Sequence, residues 1–153
     1  MGVELIRATQ ADEEVLKHLF QFYIYDFSEY MPIEVEGNGK YDDYPLAAYW
    51  VNPAYFPYLI KKGVHYIGFV LVKESRTHTS IAEFFIMKRH RRGGFGKAIV
   101  HKIFHQHRGN WEISQLKNNE PAQAFWRRVI NEAVAGTFTE EERDNKVVQT
   151  FSV

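Results

Sequence analysis

At 153 residues, with no cysteine and a net charge of zero, the chain has room for one domain with a substantial core. It cannot build a disulfide framework, a thiolate nucleophile or a zinc–thiolate site. Hydrophobic residues make up 45% and charged residues 25%, an ordinary globular composition. No apolar run approaches the ~20 residues of a membrane helix, and the N-terminus lacks a signal-peptide pattern. A cytoplasmic protein without a membrane partner is therefore expected.

Residues Val3 to Arg7 read as a first strand. Thr9 and Asp12 form a capping-box pattern that predicts a helix from about Gln10 to Phe27, with Val15, Leu16, Leu19, Phe20, Tyr23 and Ile24 on its apolar stripe. Tyr30 to Tyr44, with Pro32 and the Glu36–Gly39 turn, reads as a loop, and Leu46 to Val51 as a short helix. Tyr55 to Ile60 and His65 to Lys73 form a hairpin around Lys61-Lys62-Gly63. A third strand is expected over Ile81 to Met87, a helix over Phe95 to His107, and a strand over Trp111 to Leu116. Pro121 suits the first turn of a helix with Ala122, Phe125, Trp126, Val129 and Ile130 on its apolar face. Ala133 to Thr139 and Val147 to Val153 read as a final strand pair around a charged Glu140–Lys146 turn. This order predicts a single α/β (α+β) domain, residues 1–153, with helices flanking a mixed central β-sheet.

The charges are segregated. Asp26, Glu29, Glu34, Glu36, Asp42 and Asp43 face one cation, Lys40, whereas Phe84 to Asn110 holds only basic charge, including Lys88, Arg89, Arg91, Arg92 and Lys97. This asymmetry fits one region for an anion and another for a cation. The basic half contains the sharpest local signal, Arg91-Arg92-Gly93-Gly94-Phe95-Gly96, lying between a strand and a helix. The first N–H groups of a helix lack partners within it, and with the helix dipole and nearby arginines they attract phosphate oxygens. A P-loop is excluded because Gly96-Lys97 is followed by Ala98, which has no hydroxyl for magnesium. The dinucleotide spacing fails because Ile99 stands where its third glycine belongs. Lys88 to Arg92 has the composition of a nucleic-acid patch, but the glycine-rich helix start accounts for it, and no nucleic-acid partner is expected. His101 and His105, four apart, flank Lys102 instead of the glutamate of a zinc motif, and no metal is expected.

Arg91-x-x-Gly94-x-Gly96 resembles motif A of the GNAT superfamily of acyl-CoA N-acyltransferases. Asn119-Glu-Pro-Ala122-Gln-Ala-Phe125-Trp126 resembles its second motif, and the order of elements agrees from Val3 to Val153. The resemblance implies an N-acetyltransferase with acetyl-CoA as cosubstrate and a primary amine as acceptor. It assigns the pyrophosphate to Arg91, Arg92, Gly93, Gly94, Phe95 and Gly96. It assigns the pantetheine arm to backbone groups of Phe84, Phe85 and Ile86, and a contact near the thiol to Asn119. Two departures stand out. Trp126 replaces the tyrosine that often protonates the departing thiolate, and Ile130-Asn131 replaces the usual glycine–aromatic pair. The thiolate acid is thus unassigned, Trp126 is retained as a packing neighbour of the pantetheine, and an acyl-CoA-binding sensor without turnover is the alternative.

Acyl transfer to an amine needs a base for the amine proton and a donor for the thioester oxygen. Glu83 is the expected base, because a carboxylate inside an apolar strand is desolvated and its pKa rises; Glu112 is second. In the family the acceptor site is built from the first helices and their loop. Here those segments carry Asp26, Glu29, Tyr30 and Trp50, carboxylates and aromatic faces suited to an ammonium group. Nothing in the sequence opposes a homodimer.

Overall fold

Continuous apolar runs pair into one sheet in the computed structural model, which describes residues 2–135 and 137–153. β1 (Glu4–Arg7), β2 (Tyr55–Lys62), β3 (His65–Glu74) and β4 (Thr79–Ile86) form an antiparallel half. β5 (Asn110–Leu116) lies parallel to β4, and β7 (Lys146–Ser152) and β6 (Thr139–Arg143) complete the order β1-β2-β3-β4-β5-β7-β6. Gly63, at φ 63°, makes the left-handed bend of the β2–β3 hairpin.

Helices cover both faces. α1 (Glu13–Phe27) and the short α2 (Ala47–Val51) lie on one, α3 (Phe95–Gln106) and α4 (Glu120–Val134) on the other. β3 is buried from both sides, so its run shows no alternation: Ile67, Val70 and Val72 enter the α3/α4 core, while Phe69 and Leu71 enter the α1/α2 core. The capping box forms, with the Thr9 N–H donating to Asp12 Oδ2 at 2.9 Å. A 3-10 turn over Gln10–Asp12 precedes α1 proper.

The C-terminal region departs from expectation. Ala133 and Val134 continue the buried stripe of α4 and pack against the core, so the helix runs past the point where a strand was expected. The segment Thr139–Arg143, read as part of a strand and a charged turn, is the edge strand β6, exposed throughout. Its carboxylates need no burial there, and charge on an edge deters further strand pairing. The turn shrinks to Asp144-Asn145, with Asp144 at φ 57° as a two-residue hairpin requires.

Candidate active site

β4 and β5 stay paired for only two residues. Thr79 pairs with Trp111 and Ser80 with Glu112, and among the described residues the parallel ladder then stops. From Ile81 to Ile86 β4 has no β5 partner among the described residues, and apart from the Ile86 carbonyl, which accepts from Arg91 Nε, its free edge suits an extended ligand acting as an added strand. The parting coincides with a β-bulge. Leu71 pairs with Glu83 and Val72 with Ile81, which leaves Ala82 as an extra residue. The bulge inverts the faces beyond it. Ile81 and Phe84, an odd number of residues apart, both pack toward α3 and α4, whereas Ala82 and Phe85 pack toward α1. Glu83 thereby meets α1.

The open edge leads into the turn that starts α3. Gly94 is the N-cap at φ 80°, and Arg92 is also left-handed at φ 67°. Among the described residues no side chain caps the helix, which leaves its first N–H groups for an anion. Arg92, Gly93 and Gly94 are exposed. Lys62 lies 4.9 Å from the Phe95 ring centre and adds positive charge nearby. Gly96 packs against the α4 aromatics: a Cβ there would meet the Phe125 ring at 3.4 Å and Phe84 at 3.6 Å.

On the opposite face a cavity of about 470 Å³ lies between α1 and the loop that follows it. Glu83 and Tyr23 meet in its lining, with the Tyr23 hydroxyl donating to Glu83 Oε1 at 2.6 Å. Burial pushes the Glu83 carboxyl above its ordinary range. Hydrogen bonding from Tyr23 and Tyr44, then the charges of Lys73 and Lys146, oppose that rise in part. Burial first, then the adjacent Glu83 charge, raises Tyr23, Tyr44 and Tyr49, which stay neutral. The cavity walls carry Glu34, Glu36 and Asp42, none of them ion-paired among the described residues, and the rings of Phe27, Tyr41 and Tyr44. Gln21 fastens this loop to α1 through two bonds with the Tyr41 backbone, at 3.0 and 2.9 Å.

The acetyltransferase (GNAT) family profile matches residues 13–130, which include both α1 and the β4–turn–α3 unit. The chain belongs to the GNAT acetyltransferase family. No curated protein matches it by sequence. Among solved structures it is similar to an acetyltransferase from Thermus thermophilus, at 14% identity and TM-score 0.74 over 100% of this chain and 98% of that one. The PaiA N-acetyltransferase of Thermoplasma acidophilum, solved with coenzyme A, aligns at 11% identity and TM-score 0.70 over the whole of both chains. A putative streptothricin acetyltransferase from Bacillus anthracis, solved with acetyl coenzyme A, aligns at 14% identity and TM-score 0.62, covering 100% and 99%. At these identities the likeness is one of fold.

In this GNAT chain the residues expected at the site divide into three groups. Phe84, Phe85 and Ile86 lie on the stretch of β4 that β5 leaves open, with the Phe85 carbonyl turned toward β3, Arg91 through Gly96 form the turn, and Glu83 lies beside the cavity. Asn119 and Trp126 belong to α4. The Asn119 carboxamide oxygen caps that helix, accepting from the Ala122 N–H at 3.2 Å, and Trp126 is 6% exposed with its ring 5.4 Å from Phe84 of β4.

The expected acceptor residues do not come together. Trp50 donates to Glu13 at the start of α1, ~20 Å along the helix from Asp26. Asp26 is bound by Arg91 at 2.7 Å and Lys88 at 3.6 Å, so it is not a free carboxylate for an ammonium ion. Glu29 and Tyr30 line a different, wider hollow beside Lys117 and Arg127. Glu112 is engaged by Arg143 at 3.3 Å and His78 at 3.8 Å. The acids that do line the cavity, Glu34, Glu36 and Asp42, belong to the same acidic run. That run was the sequence signal for them. Tyr23, read as one apolar position among several, carried none.

Proposed function

We propose that this protein transfers an acetyl group from acetyl-CoA to a primary amine that also carries further positive charge. The observation that carries this reading is the parting of β4 from β5, which opens a strand edge running from Glu83 to the glycine turn. The residues fit coenzyme A. The β4 edge offers hydrogen-bond partners for the amides of the pantetheine arm, and the uncapped α3 start with Arg92 offers N–H groups and charge for the pyrophosphate. When bound, acetyl-CoA supplies an activated acyl group as a thioester.

The chain's own residues would supply the rest. A backbone N–H on the β4 edge near Ile86 is the donor for the oxygen on which negative charge develops. Glu83, raised in pKa by burial yet held as a carboxylate by Tyr23, accepts the amine proton directly or through one water. Glu34, Glu36 and Asp42 hold the second positive charge of the acceptor, and the Tyr41 and Tyr44 rings pack on its apolar stem. The Trp126 indole cannot serve as an acid for the departing thiolate, and no residue is assigned that role.

A thiol-release assay with acetyl-CoA and an amine panel tests the proposal. Diamines or peptides with a second cation should turn over faster than neutral monoamines. Tight coenzyme A binding with no thiol release from any amine would contradict it and support a sensor instead.

A further inference from the structure

Tyr23 and Asp26 are three residues apart on α1, so their side chains leave the same helix face and meet the cofactor-side segment at two points. Tyr23 reaches Glu83. Asp26 reaches Arg91, the first residue of the turn, with the guanidinium Nη2 donating to Oδ2 at 2.7 Å. Arg91 is also fixed from two other directions. Its Nε donates to the Ile86 carbonyl at 2.8 Å, and its guanidinium lies 5.5 Å from the Phe85 ring centre. The end of β4, the last turn of α1 and the beginning of the glycine turn therefore converge on one side chain. The Asp26 side chain is 28% exposed, and it sits between Arg91 and Lys88, which would otherwise face each other as like charges. A guanidinium has five donors, so these two bonds leave others for an anion in the adjacent turn.

We propose that Asp26 is a positioning residue for coenzyme A binding, which acts by fixing Arg91 and, through it, the orientation of the turn against α1. The inference rests on the reading of this turn as the coenzyme A site. Charge alone makes the opposite prediction: removing a carboxylate near a phosphate site should tighten anion binding. The two effects therefore differ in sign.

Calorimetric titration with coenzyme A of the wild type, Asp26→Asn, Asp26→Glu, Arg91→Met and the Asp26→Asn/Arg91→Met double variant separates them. The expected result for Asp26→Asn is affinity weakened roughly fivefold, as for loss of a charge-assisted bond. Asp26→Glu should recover part of that loss. The double variant should bind no more weakly than Arg91→Met, because Asp26 acts through Arg91. Affinity in Asp26→Asn equal to or tighter than wild type overturns the proposal, as do single-variant losses that multiply in the double variant. If Asp26→Asn does not fold, Asp26→Ser with and without Arg91→Met carries the test: a loss of affinity that disappears in the Arg91→Met background supports the proposal, and affinity equal to wild type, or a loss that persists in that background, overturns it. A wild type that binds no coenzyme A overturns the site reading itself, a separate outcome from an unaffected Asp26→Asn.

Discussion

The two sides of the proposed site would recognise their ligands by different means. On the cofactor side, β4, the glycine turn and the start of α3 offer mainly backbone groups, placed by a bulge, a strand parting and left-handed residues at Arg92 and Gly94. On the acceptor side, α1 and the loop after it offer side chains: Tyr23, Tyr41 and Tyr44 with Glu34, Glu36 and Asp42. Backbone recognition depends on conformation and tolerates change in most side chains. Side-chain recognition depends on identity, so it can change from one acceptor to another on a constant frame. Arg91 and Glu83 lie where the two meet.

If the cofactor side depends on backbone placement, the most damaging single change should be one that moves β4. Gly68 on β3 is such a position, since a Cβ there would lie 2.0 Å from the Phe85 carbonyl oxygen. Gly68→Ala should lower unfolding free energy by about 3 kcal/mol in chemical denaturation, as backbone overpacking does. At Gly94, where φ is 80° and there is open space around the α-carbon, the expected damage is conformational. Gly94→Val should weaken coenzyme A binding by roughly tenfold with little effect on the amine KM, consistent with ~1–2 kcal/mol of left-handed strain.

Tyr23→Phe examines the junction. Glu83 must be ionised to accept a proton, so kcat/KM falls as pH drops through its pKa. Burial raises that pKa and the Tyr23 bond lowers it. Removing the bond should therefore move the acid limb of the pH–rate profile to higher pH, by about one unit for a hydrogen bond to a charged group. The smallest effect belongs to the exposed acids. Glu34→Gln with Asp42→Asn should raise the amine KM about threefold at low salt while leaving kcat intact, and the difference should fade at high ionic strength. An effect on the coenzyme A affinity instead would erase the proposed division between the two sides.

What the sequence revealed follows the same division. Arg91-x-x-Gly94-x-Gly96 is contiguous, and its glycines bear directly on a backbone conformation, so the turn before α3 was legible. The apolar run around Glu83 identified a strand but could not say which way its residues point. A single bulged residue, Ala82, decides that Glu83 faces α1, and it leaves no mark on composition. The acceptor side depends on contacts across long separations. Tyr23 meets Glu83 sixty residues away and Asp26 meets Arg91 sixty-five away. Hence the acidic run was visible, while the division between Asp26, taken by an arginine, and Glu34, Glu36 and Asp42, left at the cavity, was not. Asn119 and Trp126 show the converse. Their motif is recognisable in sequence despite the tryptophan at its end, but that they also serve as a helix cap and a core contact is visible only in the fold.

In the proposed mechanism Glu83 acts chemically beside a cofactor site built independently of it. Glu83→Gln keeps the shape and the ability to accept from Tyr23 while removing the base. Coenzyme A affinity and acetyl-CoA-dependent thiol release should be measured on the same preparation of this variant and of the wild type. The expected result is equal coenzyme A affinity and a loss of at least about a hundredfold in kcat/KM for the best amine, in line with loss of a general base. Turnover within a few-fold of wild type would contradict it.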